Sequence, residues 1–292
     1  MSTTSFPPGL YVAATPLGHL GDITQRVRDG LAHCDWIYAE DTRRAQMLLS
    51  ALGIGRNKNS IRALHDHNEA IVKDQVIAAI AAGQSVLLIS DAGTPAISDP
   101  GYAVVDAAWQ ANISVCPLPG PSAVIAALSV CGFARWPMSF WGFAPVKSTA
   151  RQAWLDNIRK AGGLAVIFEA PHRALDALAD CATVFGPDTP MLFGRELTKQ
   201  HETLIRGPIK EIQLKINAMR EQDPGSAKGE MVWVFDLGDK PSTSASQDQL
   251  EAWAATLASE MPASSAAKCL VKMLGVSRDA AYQAVLKAGP KK

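Results

Sequence analysis

Four polar stretches gather the residues whose types and spacing could do chemistry. "SDAGTPAISDPG" (90–101) sets Asp91 directly after the apolar run "SVLLI", then restricts the backbone with glycines and prolines and supplies no Cys, His or Lys. Such a loop offers a carboxylate and fixed backbone donors and acceptors, which suits holding a small polar ligand rather than attacking it. "AEDTRR" (39–44) ends another apolar run in two acids. Asp41 or Thr42 would cap the next helix, and Glu40 would stand at a strand's carboxyl end. "HDHNE" (65–69) places His65 and His67 on one face in a ligand-like His-x-His spacing, yet no third ligand is evident and Asn68 and Glu69 suit a helix start. A polar, substrate-facing cluster is therefore expected there, and no metal. "TPLGHLGDIT" (15–24) is neither G-x-G-x-x-G nor a Walker A, but its backbone N–H groups precede a helix, where anionic groups bind. The nucleophile elbow G-x-S-x-G is missing, which argues against an esterase.

Further along, "FEAPHR" (168–173), "GRELTKQHE" (194–202) and "KGEMV" (228–232) put polar residues beside strands. Arg173, Arg195, Lys199 and Lys228 could meet phosphate there, although a single surface cation is a weak signal. Net charge is zero, but the distribution is uneven. Residues 1–140 carry 9 basic against 11 acidic residues, whereas 268–292 carry six basic residues against Asp279 alone. That basic tail can face solvent or touch phosphate.

The elements that must position these stretches alternate. "LYVAAT" (10–15), "DWIYAE" (35–40), "SVLLIS" (85–90) and "ISVCPL" (113–118) read as strands. Helical spacing over 24–33, 42–52, 69–82 and 101–111 separates them. The pattern predicts a mostly parallel sheet covered on both faces, whose ligands sit outside the carboxyl ends of the strands. "PLPGPSA" (117–123) marks a boundary, after which Ser122 would start a helix. "MSFWGF", "LAVIFEA", "PMLFGRE", "ETLIRG" and "EMVWVF" then read as strands among helices near 149–161, 172–185 and 208–220. The expected organisation is an α/β domain over 9–120, a second over 121–238, a linker over 238–247 and a helical appendage over 248–292. In that appendage "AAKCLVKMLGVSRDAAYQAVLKA" has the helix, Gly turn, Ser cap and second helix of a helix-turn-helix.

With 292 residues, 48% hydrophobic and 19% charged, the chain has enough apolar residues for two globular cores. No apolar run approaches the ~20 residues of a membrane span, and "MSTTSFPPGL" lacks the basic and apolar regions of a secretory signal. Five widely spaced cysteines without C-x-x-C argue against a disulfide framework or a cysteine zinc site and suit a reducing cytoplasm.

Taken in order, "TPLGHLGDIT", "AEDTRR", "HDHNE", "SDAGTPAISDPG", "PLPGPSA", "FEAPHR", "RELTK" and "KGEMV" resemble the ribosomal RNA small subunit methyltransferase I family of the tetrapyrrole methylase superfamily, over about residues 9–292. The resemblance implies two α/β domains with S-adenosylmethionine in the cleft between them. It further implies a homodimer and, as substrate, a cytidine ribose 2′-hydroxyl in the decoding region of 16S rRNA. Carried over residue by residue, the cofactor would meet Pro16, Asp91, Gly93, Thr94, Ala96, Ile97, Ser122, Ala123, Phe168 and Met231. Attack by the substrate's own oxygen on a sulfonium methyl needs no enzyme nucleophile, which explains a polar loop without one. The family does not settle a base. Glu40, Asp41, His65, His67, Glu169 and Lys199 are candidates, the first three preferred, while Arg43, His67, Arg173, Arg195, Lys199, Lys268, Lys272 and Arg278 are expected to meet RNA. Ala14 and His19 stand where the family usually has Pro and Asn, and Phe168 where it has Tyr. The rival reading on the same fold is a corrin or sirohaem-type methylase, and a nucleic-acid-binding regulator acting through 265–289 is a third.

Overall fold

The computed structural model describes residues 5–223, 225, 228–239 and 247–289. Five strands build the first sheet: β1 (Gly9–Ala13), β2 (Trp36–Ala39), β3 (Ile61–Ala63), β4 (Ser85–Ile89) and β5 (Val115–Leu118). Their order is β3-β2-β4-β1-β5, and every pairing is parallel. β4 is central and wholly buried because its side chains feed two cores in alternation. Leu87 and Ile89 pack with Val27, Leu31 and Leu49 from α1 (Gln25–His33) and α2 (Thr42–Ala51). Val86 and Leu88 turn to Val72, Val76 and Val104 from α3 (Glu69–Ala81) and α4 (Tyr102–Gln110). The expected strands and helices are present, and β3 is an addition. It has three residues and pairs with β2 alone, too short a run to show a period of two.

The second sheet contains β6 (Met138–Phe143), β7 (Leu164–Glu169), β8 (Pro190–Arg195), β9 (Thr203–Pro208) and β10 (Met231–Asp236), in the order β6-β7-β10-β8-β9. Only β6 and β7 run parallel; the other pairings are antiparallel. One face carries α6 (Ser148–Ala161), α7 (Ala174–Phe185) and α8 (Ile209–Gln222) over Ile167, Phe193, Trp233 and Phe235. The opposite face receives α5 (Ala123–Cys131), whose Ala127 and Cys131 pack on Val166, Leu192 and Val234. Ser122 is the N-cap of α5, as the sequence predicts.

The final helices, α9 (Gln247–Glu260), α10 (Ala263–Leu274) and α11 (Arg278–Ala288), share a core of their own from Leu250, Ala254, Leu270, Ala281 and Val285. Gly275 takes the left-handed conformation after α10, and the Ser277 hydroxyl accepts a hydrogen bond from the Ala280 N–H to cap α11. Most of the linker predicted over 238–247, residues 240–246, lies outside the described residues. Among the described residues, no helix is long and apolar enough to cross a membrane.

Candidate active site

β1 and β4 are neighbours, yet the chain leaves them in opposite directions, through α1 to β2 and through α4 to β5. That divergence opens a crevice at their carboxyl ends, where open α/β sheets bind ligands. Its floor is tied together. Thr15 and Gly93 exchange two backbone hydrogen bonds of 2.8 and 3.0 Å, and Thr15 Oγ1 donates to the Ser90 carbonyl at 3.1 Å. Gly93 sits at φ +80°, with Leu17 3.3 Å from where a Cβ would lie, so the turn requires glycine. Ala96 and Ser98 hold left-handed φ angles of 63° and 64° without that freedom, the local strain that ligand loops store.

Above the floor lies a cavity of about 400 Å³. The first half contributes Glu40, Asp91, Gly93, Thr94, Ile97 and Asp99, and the start of α5 contributes Ser122 and Ala123. The second sheet supplies Phe168 and Glu169 with Glu230 and Met231. These two pairs meet because β7 and β10 are antiparallel and place Glu169 opposite Met231.

The electrostatics are lopsided. Five carboxylates line the cavity (Glu40, Asp91, Asp99, Glu169 and Glu230), and Arg44 is the only Lys or Arg among the described lining residues. Burial, and next the negative charge of Glu40, push Asp99 up to about 6. Burial likewise raises Glu40, with Asp91 adding repulsion, and raises Asp91; the Arg44 guanidinium moderates both. Glu169 is raised by burial against the pull of the Ala170 N–H and Arg173, and its Oε2 is buried with no hydrogen-bond partner among the described residues. The Ser122 side chain does not cap α5, so that helix presents its positive end without a side-chain acceptor. A cavity so lined suits a ligand that carries positive charge, with the start of α5 available to an anionic group and Ile97, Phe168 and Met231 to an apolar surface.

Of the residues predicted for the cofactor, eight line the cavity: Asp91, Gly93, Thr94, Ile97, Ser122, Ala123, Phe168 and Met231. Pro16 and Asp41 line a side pocket of about 40 Å³ that shares Arg44 and Asp91 with it. Ala96 does not line the cavity and helps close the loop, its N–H donating to the Pro100 carbonyl at 3.3 Å. Glu40 alone of the three preferred base candidates reaches the cavity. Asp41 is occupied as the cap of α2, accepting from Arg43 N at 2.7 Å. His65 lines neither space; its Nδ1 is buried without a hydrogen-bond partner among the described residues, and its ring lies 6.0 Å from that of the exposed His67.

Two arginines expected to meet RNA are turned inward instead. Arg173 pairs with Glu169 at 2.6 Å beneath the cavity wall. Arg195 is 7% exposed and spends its guanidinium on the carbonyls of Lys228, His201 and Gly225, which ties down the loops beyond β8 and before β10. Lys199 is held by Glu196 and Glu230 at 2.8 and 3.0 Å. Its stem lies so close to Gly18 that a Cβ there would overlap it, and Thr198 accepts from His19 N at 3.2 Å, so this loop closes on the first βα turn. Arg43, Lys268, Lys272 and Arg278 are exposed.

Sequence reasoning missed Arg44, Asp99, Glu230 and Phe143 as lining residues. The signal for Asp99 was its place in the same loop as Asp91. His19 caps the next turn by accepting from Gly21 N at 3.1 Å, the work an Asn side chain would do there. Phe168 packs edge-on to Phe140 and Phe143, at ring distances of 4.9 and 5.3 Å.

Comparison with known proteins agrees with this architecture. The family model for tetrapyrrole (corrin/porphyrin) methylases matches residues 9–213, and that for the RsmI C-terminal HTH domain matches residues 244–289. A solved diphthine synthase superposes with a TM-score of 0.57 at 15% identity, covering 77% of this chain and 88% of that one. The fold and site therefore define a methylase of the tetrapyrrole methylase class. The chain is 40% identical to the ribosomal RNA small subunit methyltransferase I of Xylella fastidiosa (strain Temecula1) over 278 residues, 95% of this chain and 99% of the relative. It is 40% identical to that of Haemophilus influenzae, over 94% and 95% of the two chains. It belongs to the ribosomal RNA small subunit methyltransferase I family.

Proposed function

We propose that this protein transfers a methyl group from S-adenosylmethionine to the ribose 2′-oxygen of a cytidine in the decoding region of 16S rRNA. The observation that carries the reading is the cavity at the β1/β4 divergence, in a chain about 40% identical to enzymes named for the small-subunit rRNA. S-adenosylmethionine has two positive groups, one carboxylate and an adenine. The residues present fit it: an excess of carboxylates, the free positive end of α5, an orphaned acceptor on Glu169 and apolar walls from Ile97, Phe168 and Met231.

The bound cofactor supplies a methyl group activated on a sulfonium. The protein's share is to position donor and acceptor. Asp91 and Asp99 balance positive charge, Gly93 and Thr94 present backbone, and Ser122 and Ala123 offer helix N–H groups to a carboxylate. Pro16 and Ala96 shape the loops one layer back. Glu40 is the base candidate that faces the cavity. A carboxylate held above its ordinary value by burial makes a better acceptor for the 2′-hydroxyl proton. Arg43, His67, Lys268, Lys272 and Arg278 provide exposed groups for the RNA backbone, and the helical appendage is read as an RNA-docking module. The enzyme is read as a cytoplasmic homodimer; its five cysteines are free thiols, which suits a reducing compartment.

The test uses purified protein, S-adenosylmethionine carrying a labelled methyl group, and small ribosomal subunits from cells lacking this gene. Label in 16S rRNA that survives alkaline cleavage as a 2′-O-methylated dinucleotide is expected. Cofactor binding without RNA labelling would discard the RNA acceptor and put a tetrapyrrole in its place.

A further inference from the structure

Arg44 is oddly placed. It lies in the first turn of α2, where the helix dipole disfavours a cation and where the turn itself holds no acidic residue, the carboxylate of the N-cap Asp41 being engaged with Arg43 N. Its guanidinium reaches back to Asp91, Nη1 to Oδ2 at 3.2 Å, while its side chain is 62% exposed and that of Asp91 only 22%. Arg44 and Asp91 both line the main cavity and its side pocket. The other oxygen of Asp91 accepts from Asp41 N at 3.1 Å, which fixes the carboxylate while leaving the arginine the movable partner.

A polyanion approaching this mouth meets five carboxylates, of which Glu169 and Glu230 are already paired with Arg173 and Lys199, and the remaining acids repel phosphate within about 10 Å at ordinary ionic strength. Lys199 has no charge to spare for Glu40, Asp91 and Asp99, since Glu196 and Glu230 hold its ammonium. We propose that Arg44 is a positioning residue that couples the two substrates: it serves as counter-ion to Asp91 in the free enzyme, gives that place to the positively charged donor, and swings out to a phosphate of the RNA. This rests on the reading of the cavity as a donor site beside an RNA acceptor. It adds an order to the reaction, because RNA binds better after the donor has released the arginine. By linkage, the donor must then bind better in the presence of RNA by the same factor.

The experiment measures equilibrium binding of S-adenosylhomocysteine, which keeps the ammonium group, and of unmodified small ribosomal subunits, each with and without the other. In the wild type, saturating S-adenosylhomocysteine is expected to tighten subunit binding about tenfold, within the usual range of coupling between sites. It should also steepen the salt dependence by about 0.7 in log–log slope, one further phosphate contact on single-stranded RNA. Arg44→Met should bind S-adenosylhomocysteine at least as tightly as wild type, show coupling below twofold and show no change of slope; Arg44→Lys should keep part of both. Wild-type coupling below twofold, or coupling that persists unchanged in Arg44→Met, overturns the proposal while leaving the methyltransferase reading intact. Failure of the wild type to bind S-adenosylhomocysteine or subunits at all removes that reading and the proposal with it.

Discussion

Replacing Asp99 with Asn should stabilise the free protein and weaken its hold on the donor. The native carboxyl ionises at about 6 instead of 3.8, chiefly because burial and then the charge of Glu40 oppose its ionised form. At 1.36 kcal/mol for each pH unit that difference is about 3 kcal/mol; Asp99 is only partly buried, and solvent screening reduces the figure to roughly 1.5 kcal/mol. A raised carboxyl holds its proton more tightly in the folded state than in the unfolded one. The cost is therefore full above about pH 6, shrinks as the pH falls through 6, and is gone below 3.8. For a chain of this size, 1.5 kcal/mol corresponds to about 3–6 °C in Tm. Thermal unfolding of D99N against wild type should show that gain at pH 7.5 and almost none at pH 4. Calorimetric titration with S-adenosylhomocysteine at pH 7.5 should show weaker binding to the variant. A Tm gain equal at both pH values, or a loss at pH 7.5, would refute the argument that a buried charge among like charges is what Asp99 costs the fold.

Other substitutions separate structure from binding. Arg195→Met leaves three carbonyls without their donor and should cost about 3 kcal/mol, seen as a Tm lower by roughly 6–12 °C; a stable variant with weaker RNA binding would return Arg195 to the RNA-contact set. Gly18→Val should push the Lys199 stem aside and reduce S-adenosylhomocysteine affinity several-fold, by titration calorimetry, through loss of the closed 196–202 loop. The triple change K268E/K272E/R278E should lower subunit affinity at least tenfold, in filter binding at fixed salt, with unchanged S-adenosylhomocysteine affinity. Removing residues 245–292 should also spare that affinity, because α9, α10 and α11 pack on a core separate from those of the two sheets.

Much of the first sheet was legible because its physics is local. β4 must be apolar on both faces, and the acid and turn residues after it mark where the strand ends. Strand direction in the second sheet was not legible, since a buried run such as "LAVIF" reads the same in a parallel or an antiparallel pair. The cavity-lining residues legible in the sequence were those carried by motifs. The placement of charges was less legible: Arg195 ends a sheet strand, and its three acceptors come from loops up to 33 residues away, which no local pattern reveals. Asp99 was overlooked for a different reason. In "DPG" it reads as an ordinary turn acid, and only its burial in the folded cavity, together with the approach of Glu40 from the end of β2, gives it a perturbed proton affinity.

The pair of backbone hydrogen bonds joining Thr15 to Gly93 also bears on how such a site can change over generations. Two loops 75 residues apart in sequence share one floor, reinforced by the Thr15 hydroxyl on Ser90. A substitution that shifts either loop moves the other, so mutations in 14–20 and 90–101 will show epistasis, their combined effects departing from the sum of the single ones. Drift toward a new acceptor must pass through coordinated changes in both segments, which makes this floor a slowly evolving part of the molecule while the charges around its rim are free to vary.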